Sequence, residues 1–478
     1  MPTPTIEQQE ITDTFVGGKN LVINAGAGAG KTSTLKMCAA ATPKAKGLYI
    51  AYNKAIQVEA AASFPQNVTC KTAHALAFAA VGRRFFRRLK APRMSSYLVA
   101  KLLHINEPVR VNDEVILAPQ QLARVVMATV TGYTRSATRD IVHHNIAKLA
   151  GLDDADTMNA LAEVVPPIAV KAWADLTNPN GKLPYSHDCY LKMWTLTNPQ
   201  LSYDFVLLDE AQDSNPPIVE VFEGQRNTQK VMVGDEAQSI YGWRGAQNAM
   251  REFNGTRLTL SQSFRFGEAI AAEANQWLSI LDAPLRLRGF ELINSRITDL
   301  DEPEAILCRT NAEALVQAMS ALEKGRQVAL VGGGKAIRSL AEAALQLQAG
   351  RGCDHPELCG FQTWGMVQDY VRFEESGSDL APMVNLIDTH GAEKIIDVAD
   401  QLNREDRAEL TLSTAHKAKG REWKRVKIAG DFTEPKPNDD GGRGKIRPDD
   451  AMLAYVTVTR AQHVLDRGGL AWVDRYRR

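Results

Sequence analysis

The chain carries no net charge: 56 Lys and Arg are balanced by 56 Asp and Glu. A uniform positive field that would attract polyanions is therefore excluded, and any nucleic acid must be met by a local groove. Cysteine is scarce, with six in 478 residues (Cys38, Cys70, Cys189, Cys308, Cys353 and Cys359), all but the last two far apart. A disulfide scaffold is excluded by that scatter. No run of about 18 apolar residues occurs, which excludes a conventional membrane-spanning helix. The opening Met1-Pro2-Thr3-Pro4 has no signal-peptide pattern, so a reducing, cytoplasmic or nucleoid-associated setting without membrane contact is expected. Cys353, His355 and Cys359 offer only three ligands at an unfamiliar spacing, and a plain loop is expected there rather than a zinc site. Internal repeats are also missing.

What is present is ordinary globular material, 44% hydrophobic and 23% charged, at a length that implies roughly two to four domains. Short apolar strands at 21–24, 48–50, 68–70, 205–208, 231–233, 258–260, 305–307, 328–331, 410–412 and 426–428 recur with helical stretches between them, which predicts α/β architecture with parallel sheets. Two intervals break the rhythm. From about 82 to 198 the pattern is mainly helical, as in 120–131 and 157–165, and it turns helical again from about 336 to 407. Each interval begins and ends in strand-bearing sequence, so each reads as an insertion into an α/β domain. The stretch 435–450, with Asp439-Asp440-Gly441-Gly442, reads as a surface loop.

Three motifs carry chemistry. Ala25-Gly26-Ala27-Gly28-Ala29-Gly30-Lys31-Thr32 and Ser33 follow a strand and open a helix. Small residues there let backbone N–H groups curl around phosphates, Lys31 reaches the β/γ-phosphates and the Thr32 hydroxyl ligates Mg²⁺. Ala25 stands where the strict phosphate-loop pattern has its first Gly. Next, the strand 205–208 ends in Asp209-Glu210, which fits a metal-holding carboxylate beside a carboxylate that polarises water; taken alone, the pair equally marks a helix N-cap. Finally, in 233–246, Asp235 and Gln238 stand at a strand's carboxyl end close to Trp243 and Arg244, suggesting one segment that couples a nucleotide to a strand. A cap and a packing tryptophan would give the same letters. The run Arg83-Arg84-Phe85-Phe86-Arg87-Arg88-Leu89-Lys90 is compatible with a grip on nucleic acid backbone or with a solvated helix that packs both Phe inward.

Together with Gln8, Tyr52-Asn53-Lys54, Thr72-Ala73-His74, Gln262-Ser263-Phe264-Arg265, Cys308-Arg309, 413–423 and 455–461, these motifs resemble, over almost the whole chain, the UvrD/Rep-type superfamily 1A DNA helicases, most of all the F-box DNA helicase subgroup. The resemblance implies two RecA-like P-loop domains, 1–81 with 199–263 and 264–335 with 408–478, carrying helical insertions 82–198 and 336–407. It implies ATP and Mg²⁺ as cofactors, with Asp209 and Thr32 on the metal, Gln8 reading adenine, Phe264 stacking on it and Glu422 contacting ribose. Lys31, Glu210, Gln238, Arg265 and Arg460 are the implied catalytic set. On the strand side the implied contacts are Tyr52, Asn53, Lys54, Thr72, His74, Trp243, Arg244, Arg309, Thr414 and His416. The aromatic of the first strand motif stands one place late, at Tyr52, where the family pattern would put it at Ala51. The implied activity is 3′→5′ translocation on single-stranded DNA and unwinding at single-strand/duplex junctions by a monomer, beside recombinase or replication proteins. Clearing recombinase filaments without unwinding and small-molecule phosphotransfer are the alternatives. The second insertion is much shorter than the regulatory subdomain of the longer family members, so autoinhibition by its swivelling is not expected, and neither a nuclease domain nor an F-box segment is expected.

Overall fold

The computed structural model describes residues 3–91, 94–112, 115–241, 248–373, 380–438 and 442–476. Its first sheet contains β1 (Leu21–Ala25), β2 (Gly47–Ala51), β3 (Val68–Thr72), β4 (Phe205–Leu208), β5 (Gln229–Gly234) and β6 (Thr256–Leu260). Their order is β3-β2-β4-β5-β1-β6 and every pairing is parallel, with Ile23 registered against Val233 and Leu258. The second sheet contains β7 (Arg296–Ile297), β8 (Ala305–Cys308), β9 (Val328–Leu330), β10 (Leu410–Thr414), β11 (Trp423–Ile428) and β12 (Ala461–Asp466). It is also all parallel, ordered β9-β10-β8-β11-β12-β7. The α/β class with two RecA-like sheets is thus as the sequence implied.

Alternation along each strand builds the cores. On the first sheet Leu21, Ile23, Tyr49, Leu207 and Val233 face one cluster, while Val22, Leu48, Ile50, Val206 and Met232 face another. Successive side chains of a strand point to opposite faces, and helices cover both, so the strands are apolar throughout.

The two helical intervals are built differently. Between β3 and β4, helices Ser96–Leu102, Pro119–Thr134 and Ala155–Thr177 enclose their own core of Leu122, Val126, Leu161, Val165 and Ala169. Between β9 and β10, helices Lys335–Gln348, Trp364–Phe373, Ala381–His390 and Ala392–Gln401 bury Ile337, Val367, Ile387 and Ile395 in one cluster with Ile306, Leu330 and Leu412 of the sheet.

Three sequence expectations need correction. The helix expected at 157–165 continues through Pro166 and Pro167 to Thr177; its Leu161, Val165, Ala169, Ala172 and Leu176 stripe stays buried, and that packing outweighs the amide hydrogen bonds the prolines cannot donate. Strands β7 and β12 were not anticipated, because the first is only two residues long and Ala461–Asp466 is interrupted by the adjacent polar Gln462 and His463. Nor was the antiparallel ribbon Val109–Arg110 with Ile116–Leu117. The 353–359 loop is a packing element: Arg124 pairs with Asp354, and Gln121 Nε2 donates to the Cys359 carbonyl at 3.1 Å. Among the described residues no group of three or more His, Cys, Asp or Glu could hold a metal, and no helix is long and apolar enough to cross a membrane.

Candidate active site

Strand β1 ends at Ala25, and helix Lys31–Ala41 starts after a loop in which Gly28 and Gly30 have φ of +73° and +75°. Besides that left-handed backbone, a Cβ on Gly28 would lie 2.6 Å from Arg265 Cβ and 2.7 Å from Ser263 Oγ. Only glycine fits. No side chain caps this helix, so its first N–H groups stay available to an anion. Segment 261–265 is stitched to the loop: Phe264 N donates to Gly28 O and Ser263 Oγ to Ala27 O, each at 2.9 Å. Gln8 Nε2 donates to Thr34 Oγ1 at 3.2 Å, and a Cβ on Gly30 would come within 3.3 Å of Gln8 Nε2 and 3.5 Å of the Phe264 ring. Gln8 and Phe264 therefore flank the end of the loop, with Phe264 40% exposed and backed edge-on by Phe290. Ser33 is exposed and Thr32 half-buried.

At the end of β4, Asp209 accepts from the Tyr49 hydroxyl and, at 2.9 Å, from the Glu210 N–H. Glu210 pairs with Lys31 at 2.5 Å and accepts from Gln212 Nε2 at 2.6 Å. Its backbone is left-handed, φ +50° and ψ 44°, a conformation that costs a residue with a Cβ about 1–2 kcal/mol. Strain held at such a point fits a side chain that must be aimed. Burial opposes the Lys31 charge, but Glu210, Asp209 and Asp235 outweigh it and raise its pKa. Glu210 is held below the usual carboxylate range because Lys31 and Lys419 overcome the cost of its burial. Burial and the adjacent Glu210 push the Asp209 carboxyl up, and burial pushes up Asp235. One ammonium thus faces three carboxylates. A divalent cation would offset that surplus of negative charge, and Asp209 and Thr32 are the residues that could hold it.

The far wall is positive. Arg460, 1% exposed, donates from Nε to the Val456 carbonyl at 2.8 Å and from Nη2 to Thr459 Oγ1 at 2.8 Å and Gln238 Oε1 at 3.4 Å. Burial and the neighbouring Arg265 pull this guanidinium down to about 9. Arg265 pairs with Glu422 at 2.5 Å and reaches the Thr459 carbonyl at 3.2 Å. Gln238 Nε2 donates to Asp235 at 2.6 Å, and the buried Tyr455 hydroxyl donates to Asp235 at 2.9 Å while accepting from Ala27 N at 3.2 Å. Lys31, Glu210, Gln212, Asp235, Gln238 and Arg460 consequently form one hydrogen-bonded chain across the two lobes, since Gln212 Oε1 also accepts from Asp235 N. Glu422 is engaged with Arg265 and with Gln462 Nε2 at 2.8 Å.

Behind this chain lies a cavity of about 580 Å³ lined by Tyr52, His74, Arg135, Asp188, Asp209, Asp213 and Tyr241. It brings two of the expected strand contacts beside the acid cluster. His74 Nε2 is 3.1 Å from Asp188, which also pairs with Arg135 at 3.0 Å. Asn53, Thr72 and Thr414 direct their side-chain oxygens to N–H groups one turn on, capping helices that begin where β2, β3 and β10 end. These three side chains thus satisfy N–H groups at the helix N-termini. Lys54 donates to Gln57 at 2.6 Å. Arg309 pairs with Asp450 at 3.2 Å, and the His416 carbonyl accepts from the Tyr241 hydroxyl at 2.9 Å. Trp243 and Arg244 lie outside the described residues.

Sequence reasoning passed over Tyr455, Gln212 and the pair Asp213–Lys419. Lys419 bonds Asp213 and the Gln238 carbonyl at once, tying the second lobe to both acidic segments of the first. Burial pushes the Asp213 carboxyl up to about 6 against the pull of Lys419, and its Oδ1 has no hydrogen-bond partner. A lysine inside the quoted motif 413–423 was the available signal; its reach into the first lobe was not.

Residues 173–254 match the family described as UvrD/REP helicase N-terminal domain. Across 96% of its length the chain is 28% identical to F-box DNA helicase protein 1 of Schizosaccharomyces pombe and to F-box DNA helicase 1 of Gallus gallus. The chain is thus similar to the UvrD/Rep-type superfamily 1 helicases and, over most of its length, to F-box DNA helicases. It spans about half of those relatives, 56% and 48% of their lengths. A further match, 33% identical over 88 residues, is to DNA helicase II of Haemophilus influenzae, and covers 17% of the chain. As in the family pattern, the phosphate loop, the Asp-Glu strand end and the two arginines meet between the lobes.

Proposed function

We propose that this chain is an ATP-driven motor that moves 3′→5′ along single-stranded DNA and separates strands at a junction, acting as a monomer. The observation that carries the reading is the hydrogen-bonded chain from Lys31 to Arg460, which spans the cleft and abuts the cavity at Tyr52 and His74. Lys31 and the loop N–H groups bind the β- and γ-phosphates, and Arg265 and Arg460 face the γ-phosphate from the second lobe. Such an arginine is worth about 10³–10⁵ in rate because it neutralises charge spread over the transferring group. Asp209 and Thr32 would hold a Mg²⁺ ion, which would supply further neutralisation of the phosphates. Phosphate oxygens compete for Lys31 and release Glu210, which takes a proton from water as its oxygen bonds to the γ-phosphorus and the bond to the β-phosphate oxygen breaks.

Gln238 lies between Asp235 and Arg460, three residues before Tyr241, whose hydroxyl is bonded to the His416 carbonyl. A change in phosphate occupancy is thereby passed to the wall of the cavity. The polarity and the DNA preference rest on the resemblance. Their test is strand displacement on duplexes with a 3′ or a 5′ tail, in DNA and in RNA. Unwinding only from a 3′ DNA tail is expected, and equal unwinding from 5′ tails would overturn the polarity. Trp243→Ala is expected to weaken strand binding and uncouple unwinding while nucleotide affinity survives; a collapse of nucleotide binding would make Trp243 structural.

A further inference from the structure

We infer that Tyr49, on strand β2, is a positioning residue for the metal: its hydroxyl holds the Asp209 carboxylate in the orientation from which that group would take a divalent cation. The inference rests on the motor reading above and deepens it at one atom. Asp209 is the first residue after β4, and β4 lies beside β2 with Tyr49 registered against Leu207 and Ile50 against Leu208. The pairing carries one step further, because Asp209 N donates to the Ile50 carbonyl at 3.2 Å. The side chain is then gripped from two sides. Glu210 N donates to Oδ1 at 2.9 Å, and the Tyr49 hydroxyl donates to Oδ2. A donor on each oxygen fixes the plane of the carboxylate, while each oxygen keeps a second lone pair for a metal.

The hydroxyl is itself rigidly placed. Tyr49 is fully buried, in the core it shares with Leu35, Cys38, Leu207 and Val233, and its ring packs on Phe64 with centroids 4.7 Å apart. Leu35 and Cys38 belong to helix Lys31–Ala41, so the ring sits where the sheet meets the helix that opens at the phosphate loop. A buried phenol needs an acceptor, and a backbone carbonyl would serve. A buried carboxylate left without donors costs far more. Pairing the two makes sense where the carboxylate, not the phenol, is the group that must stay charged and aimed.

The neighbouring carboxylates are held otherwise. Glu210 is engaged with Lys31 and Gln212, which phosphate would disturb, and Asp235 accepts in part from Tyr455 of the second lobe. Both of the Asp209 donors, Glu210 N and the Tyr49 hydroxyl, belong to the first lobe and approach it from the sheet. The orientation of Asp209 is therefore set without help from the second lobe. Donors that orient a metal-binding side chain are worth about 10–100-fold in metal affinity, which fixes the size of effect to look for.

The experiment titrates Mn²⁺ into the protein–ADP complex and follows the electron paramagnetic resonance signal of the free ion, for wild type, Tyr49→Phe, Asp209→Asn, the double variant Tyr49→Phe/Asp209→Asn and Phe64→Leu. The affinity for a fluorescent ADP in EDTA is measured beside it and reports whether each variant is folded. Tyr49→Phe keeps the ring and is expected to weaken Mn²⁺ binding about tenfold, with ADP affinity in EDTA within about twofold. In the Asp209→Asn background the same substitution should change Mn²⁺ affinity by less than about twofold, because Tyr49 acts through that carboxylate. Phe64→Leu, which loosens the ring and leaves the hydroxyl, should lower the melting temperature with Mn²⁺ affinity kept. Unchanged Mn²⁺ affinity in Tyr49→Phe, beside a loss in Asp209→Asn, would overturn the inference and leave Asp209 as the metal residue. An additive loss in the double variant would also overturn it, as would a loss in Phe64→Leu equal to that in Tyr49→Phe, which would make the effect one of packing. Mn²⁺ binding indifferent to Asp209→Asn would remove the metal role of Asp209 from the motor reading, and this inference with it.

Discussion

On the first lobe's side of the cleft, Lys31 stands among Asp209, Glu210 and Asp235; on the second lobe's side, Arg460 is held only by carbonyls, a hydroxyl and an amide, and Arg265 has Glu422. One wall has a surplus of negative charge and the other a surplus of positive charge, and both surpluses are buried. The raised carboxyls of Asp209 and Asp235 and the lowered guanidinium of Arg460 express the same imbalance from either side. A metal–triphosphate pair would satisfy both walls at once, cation toward the acids and anion toward the arginine, and on the proposed reading would draw the lobes together.

The most severe way to break the contrast is to remove the cation from the acidic wall. Lys31→Ala should lower kcat for ATP hydrolysis by about 10³-fold or more, as measured by steady-state phosphate release. Removing the cation from the opposite wall comes next: Arg460→Ala should cost about 10²–10³ in kcat with nucleotide affinity largely kept, read by fluorescent-nucleotide binding beside turnover. Arg460→Lys should not restore the rate, because a point charge cannot keep three partners of a planar fork.

Asp213 and Lys419 join the walls, and their pair titrates. With the Asp213 carboxyl pushed from 3.8 to about 6, its protonated form favours the fold below 3.8, and that contribution is lost as pH rises through 6. The ion pair with Lys419 forms over the same window, so DNA-stimulated hydrolysis should rise through an apparent pKa near 6. Asp213→Asn should flatten that limb and lower the stimulated rate about tenfold. The smallest effect is expected from Tyr455→Phe, which deletes the hydroxyl shared by Ala27 N and Asp235. Its cost should be about 1–3 kcal/mol in thermal stability, with a modest change in kcat.

The apolar strands and the phosphate loop were legible because their signals are local: a run of Val, Ile and Leu between helices, and small residues before Gly-Lys-Thr. What was not legible depended on distance or competition. Ala27 and Tyr455 are 428 positions apart, and nothing in the local pattern couples a helix tyrosine to a loop amide. That Asn53, Thr72 and Thr414 cap helices was not read from the sequence, although an Asn or Thr oxygen and a free helix N–H commonly satisfy each other at a helix start. Pro166-Pro167 announced a helix end that tertiary packing overrode. The intervals 82–198 and 336–407 looked alike in periodicity, but only the fold reveals that the first has a core of its own while the second shares the sheet's.

The most direct test of the cleft account is ATP hydrolysis by the intact chain with and without oligo-dT, beside Lys31→Ala. The account predicts a rate that rises when the strand is added and disappears in the variant under both conditions. A rate indifferent to the strand, or full activity in Lys31→Ala, would contradict it.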